Sequence, residues 1–267
     1  MLTDTQVGQF RSDGFLRGGR VLDADQVGVL CAELDRVIRE KDVAGVPQPV
    51  RVSNLSGSDA TPVWQVVNIW QASDPYRELI DLAEIVEEVA QLTEAKELRV
   101  WHDQIQYKPA ETGGVNMWHQ DGPLWRILQP KTQVSAWIAL DDVDKTNGCM
   151  TMVPGSHQWG DRQAFLNTVD GFGGLPPDLD GLAIEPRLCP VPRGFVHYHD
   201  ALTWHGSHEN HSGRARRAIA IHFMTDQTRY HAADTHIMKQ FVTVEGGARL
   251  EGEAFPLVWR RAKSEER

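Results

Sequence analysis

The sequence predicts a mainly β single domain, a barrel or sandwich of short strands backed by helices from the N-terminal end. Three observations carry that reading. Apolar residues recur at helical spacing through roughly the first 97 positions. From residue 98 the period drops to two, and Gly/Pro/Asn turns then punctuate the chain at Gly113-Gly114, Asn147-Gly148 and Pro154-Gly155. At 267 residues the chain is routine for one barrel or sandwich and short for two domains.

The elements follow in order. The first 41 residues read as a short helix, a turn and strand around "DGFLRGGRVL", and a helix from about Asp23. In that second helix Val27, Leu30, Cys31, Leu34 and Ile38 make an i, i+3, i+4 stripe for burial. Residues 42–62 carry Pro47, Pro49, Gly57 and Pro62 among small polar residues and read as a loop. A further helix is expected over 73–92, with Ser73 as N-cap, Pro75 in the first turn and Leu79, Ala83, Val86 and Ala90 on one face.

The strands come next. "VWHDQIQYK" sets Val100, His102, Gln104, Gln106 and Lys108 against Trp101, Asp103, Ile105 and Tyr107. "QVSAWIALD" sets Gln133, Ser135, Trp137 and Asp141 against Val134, Ala136, Ile138 and Leu140, and "GFVHYHD" and "RRAIAIHFM" continue the habit. The stretch 171–181, "GFGGLPPDLDG", is too rich in Gly and Pro for core and is a candidate lid.

Composition excludes several function classes. A formal net charge of −10 argues against nucleic acid or an anionic membrane as the main partner, since phosphate binding needs a concentrated basic face. Three scattered cysteines, Cys31, Cys149 and Cys189, form no CxxC pair and no disulfide framework, which favours a reducing compartment. The polar start and the lack of an 18-residue apolar window add up to a cytoplasmic reading without a membrane span.

Chemistry concentrates in "NMWHQDGPLW", where His119 precedes Asp121 by two positions. About one such triplet is expected by chance, so the motif alone is weak. On a strand, however, the two side chains share a face. An iron(II) facial triad needs two histidines and one carboxylate, with the remaining positions open. His197, His199, His205, His208, His211 and His222 are the candidates for the second histidine. Near them Arg216, Ala218, Ala220 and His222 share one face of a strand, opposite the row from Arg217 through Ile219 and Ile221 to Phe223. An arginine above two alanines suits a pocket wall, a fork of donors for a carboxylate with room beside it. The alternative is a register slipped by one, with Arg217 inward. His102, Gln104, Gln106 and Lys108 repeat the polar-inward pattern, which a purely structural barrel avoids because each buried polar group must be paired.

With these residues in place the chain resembles the phytanoyl-CoA dioxygenase-like family of non-haem iron(II), 2-oxoglutarate-dependent oxygenases. The matching stretches are "DGFL", "QYKPAETGGVNMWHQDGPLW", "AWIALDDVDKTNGCMTMVPGSH" and "WHGSHENHSGRARRA", and with their spacing they cover about residues 4–225. The resemblance implies a double-stranded β-helix (jelly-roll, cupin-like) barrel over about 98–226. N-terminal helical support over about 1–97 and a C-terminal extension over 227–267 complete a single domain. It implies Fe(2+) held by His119, Asp121 and His205, with 2-oxoglutarate and O2 as cosubstrates. Arg216, eleven positions past His205, would hold the far carboxylate of 2-oxoglutarate, with Ser207 close by. Gln106, Lys108, Ser135 and Trp137 fall where the family lines the cosubstrate pocket, and Trp125, Gln104 and His222 are candidates for substrate contact.

The implied reaction is hydroxylation or oxidation of an aliphatic C–H, with succinate and carbon dioxide as coproducts. Related halogenases carry a small residue in place of the carboxylate ligand, so Asp121 disfavours halogenation. Two other readings compete: a non-catalytic metal-binding barrel, and a different cupin-like metalloenzyme using zinc or manganese. His157, in "VPGSHQW", reads as a loop histidine that supports the site, and Cys149 as core. The expected partner is a small-molecule substrate selected by segments 42–72, 160–187 and the tail after 226, with no basic cluster for coenzyme A phosphates. Nothing in the sequence assigns an oligomeric state.

Overall fold

The computed structural model describes residues 1–262. Chain entry is governed by caps. Helix α1 (Asp4–Asp13) opens on a capping box between Thr3 and Gln6 and closes on Gly14, whose φ of 82° places it in the left-handed region. A Cβ on Gly14 would lie 2.4 Å from His157 Nδ1 and 2.6 Å from Thr203 Oγ1, so the "DGFL" turn needs glycine for space as well as for backbone angle. Strand β1 (Phe15–Arg20) follows, then α2 (Ala24–Arg39), opened by a second capping box between Asp23 and Gln26. The buried stripe of α2 is Val27, Leu30, Leu34 and Val37, while Cys31 and Ile38 are half-buried at its margin.

Two expectations are corrected in the helical half. Residues 42–62 are not loop throughout, because β2 (Arg51–Asn54) pairs with β3 (Trp64–Val67). The helix expected over 73–92 is two, α3 (Asp74–Leu79) and α4 (Ala83–Thr93), since Leu82 leaves helical geometry at ψ 119°. The break lets Leu79 and Ile80 enter the core from one direction and Ile85, Val86 and Val89 from another, and it leaves Ala83 exposed. Ser73 occupies the N-cap position of α3 without capping; its hydroxyl donates to Glu33 Oε2 at 2.7 Å instead.

The remaining strands are β4 (Glu97–Lys108), β5 (Asn116–His119), β6 (Leu128–Gln129), β7 (Val134–Ala139), β8 (Met150–Met152), β9 (Asp178–Leu179) and β10 (Leu182–Ala183). They continue with β11 (Arg187–Cys189), β12 (Phe195–Asp200), β13 (His205–Ser207), β14 (Arg216–Thr225), β15 (Arg229–Tyr230) and β16 (Leu257–Arg260). Short helices α5 (Asp121–Leu124) and α6 (Gln163–Leu166) interrupt them. The major sheet runs β1-β12-β7-β14-β4-β3-β2, with β16 also on β4, and the minor sheet runs β11-β8-β13-β5; the pairings are antiparallel.

Alternation decides what each face of the major sheet does. Val134, Ala136, Ile138, Leu140, Ile219, Ile221 and Phe223 join the residues of α2 and α4 in the main apolar core. The register aligns Arg216 with Lys108, Ala218 with Gln106, Ala220 with Gln104 and His222 with His102 on the inner row. Strict alternation fails along the β4–β14 pair. A bulge between His222 and Phe223 leaves Trp101 without a partner, so Val100 packs with the helix-side core rather than sharing the row of His102. Trp101 instead joins a separate cluster, stacked on Phe255 at 5.6 Å and against His236 at 4.9 Å. The C-terminal extension is thereby part of the body, through β15 on β6, β16 on β4 and the turn Ile237–Phe241. Among the described residues no helix is long and apolar enough to cross a membrane.

Candidate active site

The site lies between the two sheets, where β5 and β13 pair so that His119 and His205 stand opposite each other. Asp121 opens α5 directly after β5. Ligand atoms of His119, Asp121 and His205 lie within 4.8 Å of one another, a grouping of three nitrogen or oxygen donors fit for one metal ion. Each histidine presents its Nε2 to the centre because its other nitrogen is committed: His119 Nδ1 donates to Met117 O at 2.7 Å, and His205 Nδ1 donates to Thr203 O at 2.9 Å. That second bond fixes the tautomer that leaves a bare lone pair facing inward. Burial, reinforced by neighbouring His119, pushes His205 well below its ordinary pKa, so this ring is neutral at pH 7.

The two oxygens of Asp121 are divided. Oδ1 faces His119 Nε2 and His205 Nε2 at 3.8 Å each. Oδ2 accepts from Ser135 Oγ at 3.1 Å and from His199 Nε2 at 3.2 Å. Burial alone would raise the Asp121 carboxyl, but the imidazoles of His205, His199 and His222 outweigh it and hold the group well below the usual carboxylate range. Since the Ser135 hydroxyl donates to Asp121, its oxygen accepts from His222 Nδ1, 2.6 Å away. His222 Nε2 is then a buried acceptor without a partner among the described residues, and burial lowers the pKa of this ring to about 4. Two histidines, one carboxylate and an open side match the donor set of iron(II) oxygenase sites, so the residues present fit that ion.

A second feature stands above Trp137. Arg216 is fully buried, and its Nε and Nη2 donate to Gly148 O at 3.2 and 3.1 Å while Nη2 also reaches Ser207 Oγ at 3.1 Å. Among the described residues its Nη1 has no partner. A buried guanidinium with one unanswered nitrogen calls for an acceptor, and an anion answers best. Arg217 points the other way and pairs with Asp141 at 2.8 Å. Lys108, expected to line the cosubstrate pocket, turns its ammonium to Ser207 O at 3.1 Å and His208 O at 2.6 Å, so it braces the turn that carries Ser207.

The structure brings the other named residues to the site's walls. Ser207, Gln106, Ser135 and Trp137 surround the donors. Trp125 and Gln104 line an adjoining cavity of about 450 Å³, whose wall also includes Leu55 and Ile237. Gly206 sits between His205 and Ser207 because a Cβ there would meet Asn116 O at 2.8 Å and the Phe172 ring at 2.9 Å. Phe172 brings the 171–181 segment onto Trp118, ring on ring at 4.9 Å, and its carbonyl accepts from Trp118 Nε1 at 2.7 Å. The expected lid therefore begins as a packed flank of the site. His157 Nε2 lies 3.2 Å from Arg11 O and supports the α1 turn.

Sequence reasoning named His199 as a candidate second histidine rather than as the second hold on Asp121, and it did not single out the polar wall residues Arg51, Gln65 and His236. The signal for His199 was its alternation with His197 along one strand; the other three lie in segments with no usable period.

Comparison with known proteins follows this geometry. The family described as Phytanoyl-CoA dioxygenase (PhyH) matches residues 10–218, most of the chain. The protein belongs to the phytanoyl-CoA dioxygenase family. Among solved structures, the non-heme alpha ketoglutarate dependent carbocyclase SnoK from nogalamycin biosynthesis superposes with a TM-score of 0.78. It is 26% identical and covers 97% of each chain. Ectoine dioxygenase from Stutzerimonas stutzeri (strain A1501) is 26% identical over 79% of this chain and 72% of that one. The phytanoyl-CoA dioxygenase domain-containing protein 1 of Bos taurus is 33% identical, over 44% of this chain and 42% of its own length. The match thus spans less than half of that relative. The jelly-roll expectation agrees with these folds, with two antiparallel sheets enclosing the donors.

Proposed function

We propose that the protein is an iron(II)- and 2-oxoglutarate-dependent oxygenase that oxidises an aliphatic C–H bond of a small organic substrate. Hydroxylation would release succinate and carbon dioxide as coproducts. The observation that carries this reading is the pairing of two sites on adjoining strands. One is a His119–Asp121–His205 cluster with both imidazole tautomers set for metal. The other is a buried Arg216 whose Nη1 lacks an acceptor among the described residues. A metalloenzyme of another class needs the first and has no use for the second.

His119, Asp121 Oδ1 and His205 would hold the metal, while Arg216 and Ser207 would take the distal carboxylate of 2-oxoglutarate. Iron(II) with 2-oxoglutarate and oxygen supplies, when bound, the oxidising power that an unactivated C–H requires. The chain's own work is positioning and exclusion. Ser135 and His199 keep Oδ1 aimed, Trp137 walls the floor, and the Trp118–Phe172 stack covers one flank against water. Because Asp121 fills the carboxylate position, a halide would have to displace it, which argues against halogenation.

The likeness to SnoK along nearly the whole chain favours one second outcome of the same chemistry: ring closure with loss of two hydrogens and formation of water. Product mass separates the two, since hydroxylation adds one oxygen atom. The founding test is anaerobic. Iron(II) and then 2-oxoglutarate are added to metal-free protein, and the weak visible charge-transfer band of the chelate is sought. Its appearance, and its loss in His119→Ala and Arg216→Ala, supports the reading; iron binding without the band overturns it.

A further inference from the structure

We propose that the cavity beside the metal donors is built for a substrate bearing a carboxylate, received by Arg51 at the outer end while an apolar body lies along Trp125, Leu124 and Ile237. This rests on the oxygenase reading only in taking the cavity as the substrate's.

The cavity's lining holds one formal cation, Arg51, and one formal anion, Asp121. Asp121 is already engaged by Ser135 and His199 and faces both triad histidines. Arg51 is different. Among the described residues it meets no carboxylate, in a chain with 37 acidic and 27 basic side chains. It starts β2, and the register places it beside Val67, which in turn stands beside Gln104.

A relay of amides fixes its direction. Arg51 Nη2 donates to Gln65 Oε1 at 2.6 Å, and Gln65 Nε2 donates to Gln104 Oε1 at 2.6 Å. With each oxygen spent on its neighbour, the free ends are donors: the rest of the Arg51 fork and the Gln104 amide nitrogen. His236 adds a third. Its Nδ1 accepts from Met238 N at 3.1 Å, so the proton of the neutral ring is on Nε2. Burial and the nearby Arg51 charge lower the pKa of His236 to about 4, so the ring stays neutral at pH 7. Donors thus outnumber acceptors at this end, and the ligand must bring the acceptors.

A single planar guanidinium backed by neutral donors matches one carboxylate, whose two oxygens take a bidentate fork. A phosphate would call for more positive charge than one arginine supplies in a chain of net charge −10. Leu55, Val67, Leu124, Trp125 and Ile237 supply the apolar contact. Within about 450 Å³ that describes a compact amphipathic acid.

The test uses the full-length, metal-free protein with saturating 2-oxoglutarate, so that Arg216 is occupied. Binding of 4-phenylbutyrate and decanoate is compared with that of their primary amides by calorimetry and tryptophan fluorescence. The acids are expected to bind about tenfold tighter than the amides, and Arg51→Gln should close that gap to within about twofold without weakening the amides. Arg51→Lys keeps the charge and loses the fork, so it should retain part of the preference. Arg51 is exposed, and a thermal melt of each variant confirms that the fold is kept. Equal affinity of acid and amide, no acid binding up to about 10 mM (a free energy near 2.7 kcal/mol), or an undiminished preference in Arg51→Gln overturns the proposal. Because this readout needs neither iron nor turnover, it stands or falls apart from the charge-transfer experiment.

Discussion

Removing the grip on the far oxygen of Asp121 should weaken metal binding by a definite amount. In the structure Ser135 Oγ and His199 Nε2 hold Oδ2 at 3.1 and 3.2 Å, which keeps Oδ1 turned toward His119 and His205. A hydrogen bond to a charged acceptor contributes about 1.5–3 kcal/mol. Outer-sphere partners of metal ligands are worth about 10–100-fold in affinity, the same range in other units. Ser135→Ala and His199→Leu are therefore each expected to raise the dissociation constant for iron(II) by about tenfold. The pair should reach about 100-fold if the two bonds act independently, and less if either one alone suffices to orient the carboxylate. The measurement is an anaerobic competition of iron(II) against a chelating dye on all four proteins. The dissociation constant of 2-oxoglutarate at saturating iron serves as the control that a general loss of fold would also move. Shifts below about twofold in both single variants, with unchanged melting temperatures, would refute the division of labour between the two oxygens.

Three further outcomes follow from the same geometry. Arg216→Gln should raise the dissociation constant of 2-oxoglutarate by about 150-fold, about 3 kcal/mol for a lost charge-assisted fork, while iron affinity by dye competition stays within about threefold. Asp121→Ala should abolish C–H oxidation, measured as succinate formed per enzyme with any accepted substrate; near wild-type turnover would remove Asp121 from the ligand set. Trp101→Ala should cost about 3–5 kcal/mol of stability in urea unfolding, because the side chain is fully buried and joins β4 to the C-terminal segment through Phe255 and His236.

What was legible in the sequence followed from period. On β14 and β7, alternation placed Arg216, Ala218, Ala220 and His222 opposite Ile219 and Phe223, and Ser135 and Trp137 opposite Val134 and Ile138. The structure shows that division, because one face meets helices and the other meets the cavity. The convergence of His119, Asp121 and His205 was legible from motif spacing together with family resemblance, since only pairing of β5 with β13 brings them into register. Three features were illegible for physical reasons. The bulge at Trp101 adds one residue that no local residue preference announces. The break at Leu82 occurs without Pro or Gly, driven by where Ile80 and Ile85 are buried. Strand β2 hides among prolines because four residues on an outer strand need only one neighbour's hydrogen bonds.

The same contrast separates chemistry from selection. His205 and Arg216 lie on strands flanked by partners on both sides, with Gly206 and Gly148 at close approach. His119 ends β5 against β13, and Asp121 follows at the start of α5, its far oxygen held by Ser135 and His199. The cavity's outer wall is assembled from the end of the sheet at β2 and from the turn at His236–Ile237, which lies beyond residue 218 where the family match stops. Such segments are held by fewer partners and can change without disturbing the donors. A substitution in the Arg51–Gln65–Gln104 relay should accordingly alter which molecule is accepted while leaving iron and 2-oxoglutarate binding in place. A substitution along Ser135–Asp121–His199 should do the reverse. Specificity in this fold is thus physically separable from the reaction it serves.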